Sequence, residues 1–146
     1  MSILKDISKN IFFFLAFLFL SCNKEEKIAD KLVGQWEIRE ITYNGVNYKE
    51  DLYVNFMVFE NQNKILIPES IHFEKDYLAT WNIDLQNQKN LKVSIQCEDE
   101  VFKGTYDLKF IKNYKEKLLG IEMKSDSTKI RAFKLLQDFY SRENGW

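Results

Sequence analysis

The sequence predicts an all-β fold, an eight-stranded antiparallel up-and-down β-barrel that follows a signal peptide and a short tether. From Val33 onward, segments in which apolar and polar residues alternate follow one another, with short polar breaks between them. No long helical pattern intervenes, and the breaks are too short for parallel crossovers, so neighbouring strands are expected to run antiparallel. Closing eight such strands into a barrel removes exposed sheet edges, and a sandwich of the same strands is the alternative.

The first 21 residues have the layout of a secretory signal peptide. Lys5 and Lys9 precede an apolar run, residues 11–20, that carries no charge. A helix of ten residues is about 15 Å long, half the hydrocarbon thickness of a bilayer, so this run is too short to span as a helix. A basic start and a short apolar core are typical of an export signal, so we expect residues 1–21 to be removed.

The segment Phe19-Leu20-Ser21-Cys22 resembles the lipobox of bacterial lipoproteins, in which a small residue precedes a cysteine that is acylated and becomes the new N-terminus. Phe19 stands where that motif usually has Leu. The resemblance implies that Cys22 carries a lipid such as palmitate and that residues 22–30 form a lipid-anchored tether at the outer membrane. Lys24 followed by two acidic residues is similar to surface-export signals of Bacteroidota lipoproteins, which implies the periplasmic face or the cell surface.

The composition excludes several classes of protein. Hydrophobic residues make up 45% and charged residues 29%, which suits a packed core and argues against a disordered chain. A formal net charge of −1 leaves no strong basic field, so we expect no nucleic acid partner. One His and two Cys are too few for a zinc site built from several such ligands. If Cys22 is acylated, Cys97 is the only thiol left and no internal disulfide forms.

No pattern of catalytic residues occurs, and we expect neither an enzyme nor a bound cofactor or metal. His72 lies between Ile71 and Phe73 on a predicted strand, so its side chain points opposite to both. The chain has no nucleophile elbow, phosphate loop or metal-ligand spacing. The acidic run at 98–100 is interpreted as a solvated turn, because the sequence offers no further calcium ligands beside it.

Asn and Asp are expected to supply most of the turns, because the chain has only five Gly and one Pro. That proline, Pro68, is expected to bend or split the third strand. Residues 24–32 are expected to form one or two helical turns, and the aromatic tail 137–146 to pack on the barrel. The eight predicted strands are 33–43, 52–60, 64–74, 77–85, 90–97, 101–111, 117–124 and 128–136.

Four short motifs, in order along these strands, resemble the lipocalin-like domains of Bacteroidota lipoproteins. Gly34-Gln35-Trp36 has the Gly-x-Trp form that begins the first strand of a lipocalin. The resemblance covers residues 30–136 and implies one lipocalin-like barrel domain, placed at 31–146 with its C-terminal tail. The other three motifs are the segments 79–83, 102–106 and 130–135.

The resemblance also implies a contact at the closed end of the barrel. In lipocalins the tryptophan of this motif packs there against a basic residue from the last strand. Arg131 is assigned to this role, through stacking on Trp36, with Lys134 as the alternative. A solvent-facing position on the strand is the other interpretation of Arg131. Gly34 belongs to the same closed-end packing.

Inward-facing residues are candidates for the lining of a ligand cavity. Trp36 and Ile38 share a face of the first strand, and a β-bulge near Arg39 and Glu40 is expected to turn Ile41 inward as well. Ordinary core packing is the alternative for each candidate, because small barrels usually fill their interiors with side chains. The candidates are Trp36, Ile38, Trp81, Tyr106, Phe110 and Met123.

Two functions are compatible with this reading. The first is non-covalent binding of a small, largely apolar ligand inside the barrel, with Tyr and Trp groups orienting it. The second is a protein-interaction lipoprotein (accessory, inhibitor or immunity protein) whose barrel is filled and whose surface binds a partner. Residues 52–59, which are apolar on both faces except at Asn55, favour the second. The presence of an apolar cavity in the structure would favour the first function, and a filled barrel would favour the second.

The predicted loops also divide unevenly by charge. Those at the expected mouth, within 49–51, 74–76, 98–100 and 124–127, carry eight acidic residues and three lysines. Those at the expected closed end, within 61–64, 86–90 and 112–117, carry five lysines and one glutamate. We therefore expect the closed end to face anionic lipid headgroups and the mouth to admit neutral or cationic ligands rather than anions.

Overall fold

The computed structural model describes residues 24–86 and 90–135. The chain divides into two compact units, residues 1–32 and 33–146. In the described part of the first unit, residues 24–32 form a helix. No helix in the described ranges is both long enough and apolar enough to cross a membrane. The leader, Cys22 and the tail 136–146 lie outside the described residues, so the predictions made for them stay predictions.

The second unit is built from antiparallel strands around one core. Its strands are β1 (Gly34–Tyr43), β2 (Val46–Asn47), β3 (Phe56–Phe59), β4 (Ile65–Leu66), β5 (Thr80–Gln86), β6 (Asn90–Gln96), β7 (Gly104–Asn113), β8 (Leu118–Lys124) and β9 (Thr128–Lys134). They pair in the order β4-β3-β1-β9-β8-β7-β6-β5, and β2 pairs with β1 as a short additional hairpin strand. Each pairing is antiparallel, as short connections between consecutive strands require.

The two edges of this sheet, β4 and β5, meet and nearly close an eight-strand barrel. A bridge joins Lys64 to Thr80, and beside it the amide of Trp81 donates to the carbonyl of Asn63 at 2.8 Å. Closure satisfies backbone groups that an open edge would leave unpaired. The predicted fold class, an up-and-down β-barrel, is confirmed, and the alternative of a sandwich is not what the chain adopts.

The third predicted strand is much shorter in the structure, and Pro68 supplies the reason. β4 covers Ile65–Leu66 and ends just before Pro68, which has no amide hydrogen to give to a ladder. The chain from 67 to 79 then runs as an irregular connection, attached to the 48–55 connection by a bridge between Leu52 and Ser70.

β1 contains the β-bulge that the sequence predicts. Its register with β9 shifts between Ile38 and Glu40. The extra residue allows both Ile38 and Ile41 to point inward, where they are 0% and 1% exposed. Glu40 lies exposed on the outer face, so a charged side chain is kept out of the core.

β2 is an element that the sequence analysis does not predict. Asn44 and Gly45 form the two-residue turn of a hairpin, with φ angles of 50° and 80° that these two residue types tolerate best. The turn folds Val46 and Asn47 back onto the end of β1.

The interior of the barrel is packed around its largest side chains. Trp36, Ile38, Met57, Tyr106 and Met123 are all 0% exposed. A void large enough for a water molecule would leave part of its lining accessible, so protein atoms surround these side chains on all sides. The central part of the barrel is therefore a core in the ordinary sense.

The alternating strand directions distribute the connections between two ends of the barrel. The mouth consists of the connections 44–55, 67–79, 97–103 and 125–127. The basic end consists of the connections 60–64 and 114–117, together with the start of β1 and the end of β9.

Candidate functional site

The basic residue over Trp36 is Lys134. Its Nζ atom lies 5.5 Å from the centre of the Trp36 ring, and the two residues are paired in the register of β1 and β9. Arg131 points to the outer face, where its guanidinium pairs with Glu122 at 2.8 Å and with Glu40 at 3.2 Å. Positions 131 and 134 lie on opposite faces of one strand, so the assignment of Arg131 to this contact is wrong and the alternative, Lys134, is correct.

Two glycines hold positions that a side chain would disturb. Gly34 begins β1 buried opposite Phe59, with a φ of 133° that favours glycine. On the outer face, a Cβ on Gly120 would lie 2.7 Å from side-chain atoms of both Ile111 and Phe133. The close approach lets these two residues cover the sheet at β8.

The candidate cavity-lining residues lie inside the barrel, but most of them are shut off. Trp36, Ile38, Tyr106 and Met123 are 0% exposed and Trp81 is 4% exposed. Phe110 is half-buried. The structure therefore brings the candidates together as parts of the core, and around the four fully buried ones it leaves no water-sized space.

The polar groups expected to orient a ligand serve the fold instead. The Tyr106 hydroxyl donates to the carbonyl of Phe102 at 2.7 Å. The indole N–H of Trp81 donates to the carbonyl of Glu60 at 3.1 Å, while its ring packs edge-on against Phe59 at 5.2 Å. Both donors are satisfied within the chain, as buried polar groups usually are.

Long connections cover the mouth and are tied to one another by Ser70. The Ser70 hydroxyl accepts hydrogen bonds from the Tyr48 hydroxyl at 3.0 Å, from the Phe73 amide at 3.1 Å and from the His72 amide at 3.2 Å. Ser70 is 3% exposed and Tyr48 is 7% exposed. One small side chain thus holds the 67–79 connection against the 44–55 connection.

The 97–103 connection completes the cover from the other side. The Thr128 hydroxyl donates to the carbonyl of Val101 at 2.7 Å, and the amide of Glu98 donates to Oδ2 of Asp76 at 3.0 Å. Phe102, in the same connection, is 0% exposed. The end that we expected to be an open mouth is therefore closed by loops, which short-range sequence patterns do not predict.

Asp99 is the one group in this cover with an unsatisfied buried atom among the described residues. Its Oδ1 accepts the amide of Val101 at 2.9 Å, whereas its buried Oδ2 has no hydrogen-bond partner. Desolvation raises the pKa of the Asp99 carboxyl above its ordinary value, while the Val101 amide and the charge of His72 oppose that rise. The arrangement destabilises the ionised form of Asp99.

Cys97 lies beside Asp99, and its thiol has low reactivity. Its thiol donates to the carbonyl of Asp99 at 3.3 Å. Desolvation, with a further contribution from the Asp99 charge, raises the pKa of Cys97 to about 12. At neutral pH the thiol stays protonated and is a poor nucleophile.

The mouth carries most of the exposed apolar surface of the described chain. Of nine large apolar side chains that the described residues expose, seven fall between positions 53 and 78. Four of them, Tyr53, Ile71, Phe73 and Tyr77, line one open surface cavity of about 650 Å³ and are called the mouth patch. The apolar character of 52–59 pointed to part of it, but residues 71–74 and 77–78 were assigned to two strands and their exposure was missed.

Acidic residues are frequent in the connections that carry the mouth patch. Glu69, Glu74 and Lys75 line the same cavity, and the ammonium of Lys75 lies 5.2 Å from the centre of the Tyr77 ring. The four mouth connections carry nine acidic residues and three lysines. The acidic residues are Glu50, Asp51, Glu69, Glu74, Asp76, Glu98, Asp99, Glu100 and Asp126, and the lysines are Lys49, Lys75 and Lys103.

No metal-binding arrangement emerges from the residues that the structure describes. Within 24–86 and 90–135, no group of three or more His, Cys, Asp and Glu side chains is placed to hold a metal ion. His72 stands 3.7 Å from Asp51, at the surface of the mouth. Comparison with family models, curated proteins and solved structures finds no match.

Proposed function

We propose that this chain is a lipoprotein of the outer membrane, anchored through an acyl group on Cys22, whose barrel binds a protein partner through the mouth patch. The observation that carries the proposal is the contrast between a packed interior and an exposed apolar surface at the mouth. Exposed apolar patches rimmed by polar residues mark interaction sites in soluble domains. The leader and the lipobox resemblance support the anchored state.

The mouth patch has the composition of an interface centre. Tyr53, Phe73 and Tyr77 are large aromatic side chains, a class enriched among residues that dominate binding energy. Tyr53 is 67% exposed and Tyr77 is 75% exposed, so both lose much water-accessible surface when a partner covers them. The acidic rim adds selectivity, because it favours a partner segment in which apolar residues lie next to Lys or Arg.

Binding of a small, largely apolar, neutral or cationic ligand inside the barrel stays a prediction. It receives less support than surface binding, because five of the six candidate lining residues are at most 4% exposed. The polar groups of Trp81 and Tyr106 are already paired within the chain. A ligand would have to displace core side chains, and overpacking a core costs about 1–3 kcal/mol or more.

Site-specific photo-cross-linking in the cells that make the protein tests the proposed partner. A photoreactive residue in place of Tyr77 should capture a protein segment in which apolar residues adjoin Lys or Arg. The matched control replaces Tyr114, which is 86% exposed at the basic end. Adding Ile71→Ser and Phe73→Ser should reduce the adduct at position 77 at least about tenfold, since hot-spot truncations cost roughly 2 kcal/mol or more.

Two results would contradict the mouth patch as a binding surface. One is an adduct at position 77 that is indifferent to Ile71→Ser and Phe73→Ser. The other is equal capture of the same protein from positions 77 and 114, which would indicate non-specific contact.

The lipid anchor has its own test. Labelled palmitate should enter the natural chain, and Cys22→Ser should be unlabelled and released from the membrane fraction. Membrane retention of the unlabelled Cys22→Ser chain would contradict an anchor at this residue.

A further inference from the structure

We infer that the hairpin tip formed by residues 112–119 binds the anionic headgroup surface of a membrane. A partner at the mouth is not required, because the mouth lies at the other end of the barrel. Three features of the tip support membrane binding: a fixed turn, uncompensated lysines and an exposed tyrosine above an apolar cleft.

The turn is held in one shape by Asn113. β7 pairs with β6 through residues 104–107 and then continues, paired with β8, as far as the Asn113–Leu118 pair. The Asn113 side-chain oxygen accepts the amides of Lys115 at 3.1 Å and Glu116 at 3.3 Å. Lys117 closes the turn with a φ of 54°. The tip therefore presents its side chains from a defined backbone.

The positive charge of the tip is not cancelled locally. Glu116 is the only acidic residue of the tip, and its carboxylate is 2.7 Å from the guanidinium of Arg39 on β1. No ion pair within the described ranges involves Lys112, Lys115 or Lys117. All three lysines are exposed. Three unpaired ammonium groups on one short hairpin suit a surface with many phosphates.

An amphipathic surface accompanies these charges. Tyr114 is 86% exposed, and it borders an open cleft of about 470 Å³ that Leu118 and Leu119 also line. Lys112 and Lys117 border the same cleft. Tyrosine rings favour the headgroup level of a bilayer, and lysines there bury their stems while their ammonium groups stay in water. The apolar cleft explains why the tip fits a lipid surface better than a purely polar polyanion.

The position of the tip agrees with an anchor on Cys22. β1 begins at the basic end, so the chain enters the barrel at the end that carries the tip. Val33 is eleven residues after Cys22, and eleven extended residues span at most about 36–40 Å. If Cys22 is acylated, as proposed above, this short reach keeps the basic end near the lipid headgroups.

Vesicle binding by the chain from residue 24 onward tests the inference without any acyl group, since residues 33–146 form a compact unit of their own. Vesicles of phosphatidylglycerol and phosphatidylcholine should bind it at low salt, and vesicles of phosphatidylcholine alone should bind it far less. Each lysine near an anionic surface strengthens binding about fivefold, so Lys112→Glu, Lys115→Glu and Lys117→Glu together should weaken it at least about 100-fold. Salt at about 0.5 M should abolish the preference, because screening then acts within ~4 Å.

The control variant makes the same charge change at the mouth, with Lys49→Glu, Lys75→Glu and Lys103→Glu. It should keep binding within a few-fold of the unchanged chain. Equal binding to both vesicle types, or equal loss in the two triple variants, would overturn the inference.

A second experiment uses no charge-reversed variant, so it remains valid even if such a variant fails to fold. An environment-sensitive dye attached at Tyr114→Cys, in a Cys97→Ser background, should shift to shorter wavelength with anionic vesicles. The same dye at Tyr77→Cys should stay unchanged. A shift at position 77 and none at 114 would mean that the mouth, not the tip, meets the membrane, and would overturn the inference.

Discussion

The two ends of this barrel are stabilised by different physical means. At the mouth, long connections fold over the strands and are tied together by hydrogen bonds to Ser70, Val101 and Asp76. At the basic end, the described turns are short, and Trp36 fills the interior beneath them with Lys134 over its ring. One end thus depends on polar groups that must be satisfied, and the other on apolar burial.

Because of this difference, the two ends are suited to different binding surfaces. Hydrogen bonds hold the loops of the mouth, so apolar side chains such as Tyr77 are not needed for packing. They face outward, where a protein can cover them. A short hairpin with fixed geometry keeps Lys115 and Tyr114 projecting, which suits a flat charged surface. The sheet between them holds both ends in place.

The largest loss of stability is expected from a substitution at the basic end. Trp36→Ala removes a fully buried indole and should lower the free energy of unfolding by about 3–5 kcal/mol, independent of pH. Tyr114→Ala, at the same end but exposed, should change it by less than about 0.5 kcal/mol. Urea melts measure both, and a loss under about 1 kcal/mol for Trp36→Ala would contradict the role given to apolar burial.

A smaller effect should loosen the mouth. Ser70→Ala removes the acceptor of the Tyr48 hydroxyl and of two backbone amides, and should cost about 1–3 kcal/mol. Hydrogen exchange should rise in the connections 44–55 and 67–79 and stay unchanged at the basic end. Asn113→Ala is the matched control, because it also removes a turn acceptor but at an exposed site. Exchange that rises equally at both ends would argue against a local tie at Ser70.

The pH dependence of stability should report Asp99. Its folded pKa lies above the ordinary value of 3.8, so the folded state keeps a proton that the unfolded state loses. Stability should therefore fall as pH rises from the ordinary value of 3.8 through the raised folded pKa of Asp99. Asp99→Asn retains the acceptor for the Val101 amide and should raise stability at neutral pH while flattening this dependence. Urea melts across that window that show no difference between the two chains would contradict the account.

The smallest effect distinguishes the two basic residues of β9. Arg131→Gln breaks partly exposed ion pairs to Glu40 and Glu122 and should change stability by less than about 1 kcal/mol. It should leave the NMR resonances of the Trp36 ring in place, whereas Lys134→Gln should shift them because the ammonium lies over that ring. Ring shifts with Arg131→Gln alone would restore the first assignment.

The sequence predicts the strands best where alternation is local and unbroken. In β6, Val93 and Ile95 alternate with polar neighbours, and the structure buries both. The bulge in β1 was also predictable, because Glu40 on the inward face would have been an unpaired buried charge. If Ile130 and Ala132 both point inward, Arg131 between them points to the outer face. Alanine is small and only weakly hydrophobic, so this pattern does not determine which residues of β9 face the core.

The cover over the mouth was not predictable in the same way. It depends on contacts between distant residues, such as Asp76 with Glu98 and Val101 with Thr128, which leave no periodic signal. Residues 71–74 were assigned to the strand 64–74 because Ile71 and Phe73 alternate with polar residues. In the structure Pro68 ends the ladder first, so these side chains stay at the surface.

Native mass spectrometry distinguishes a barrel that acts through its surface from one that holds a ligand inside. The chain from residue 24 onward would be incubated with a total lipid and metabolite extract, repurified and measured intact and after unfolding. A packed barrel should show the mass of the bare chain, with no small molecule released by unfolding. A stoichiometric apolar molecule that stays bound in the folded chain and is released on unfolding would contradict the account and establish the barrel interior as the binding site.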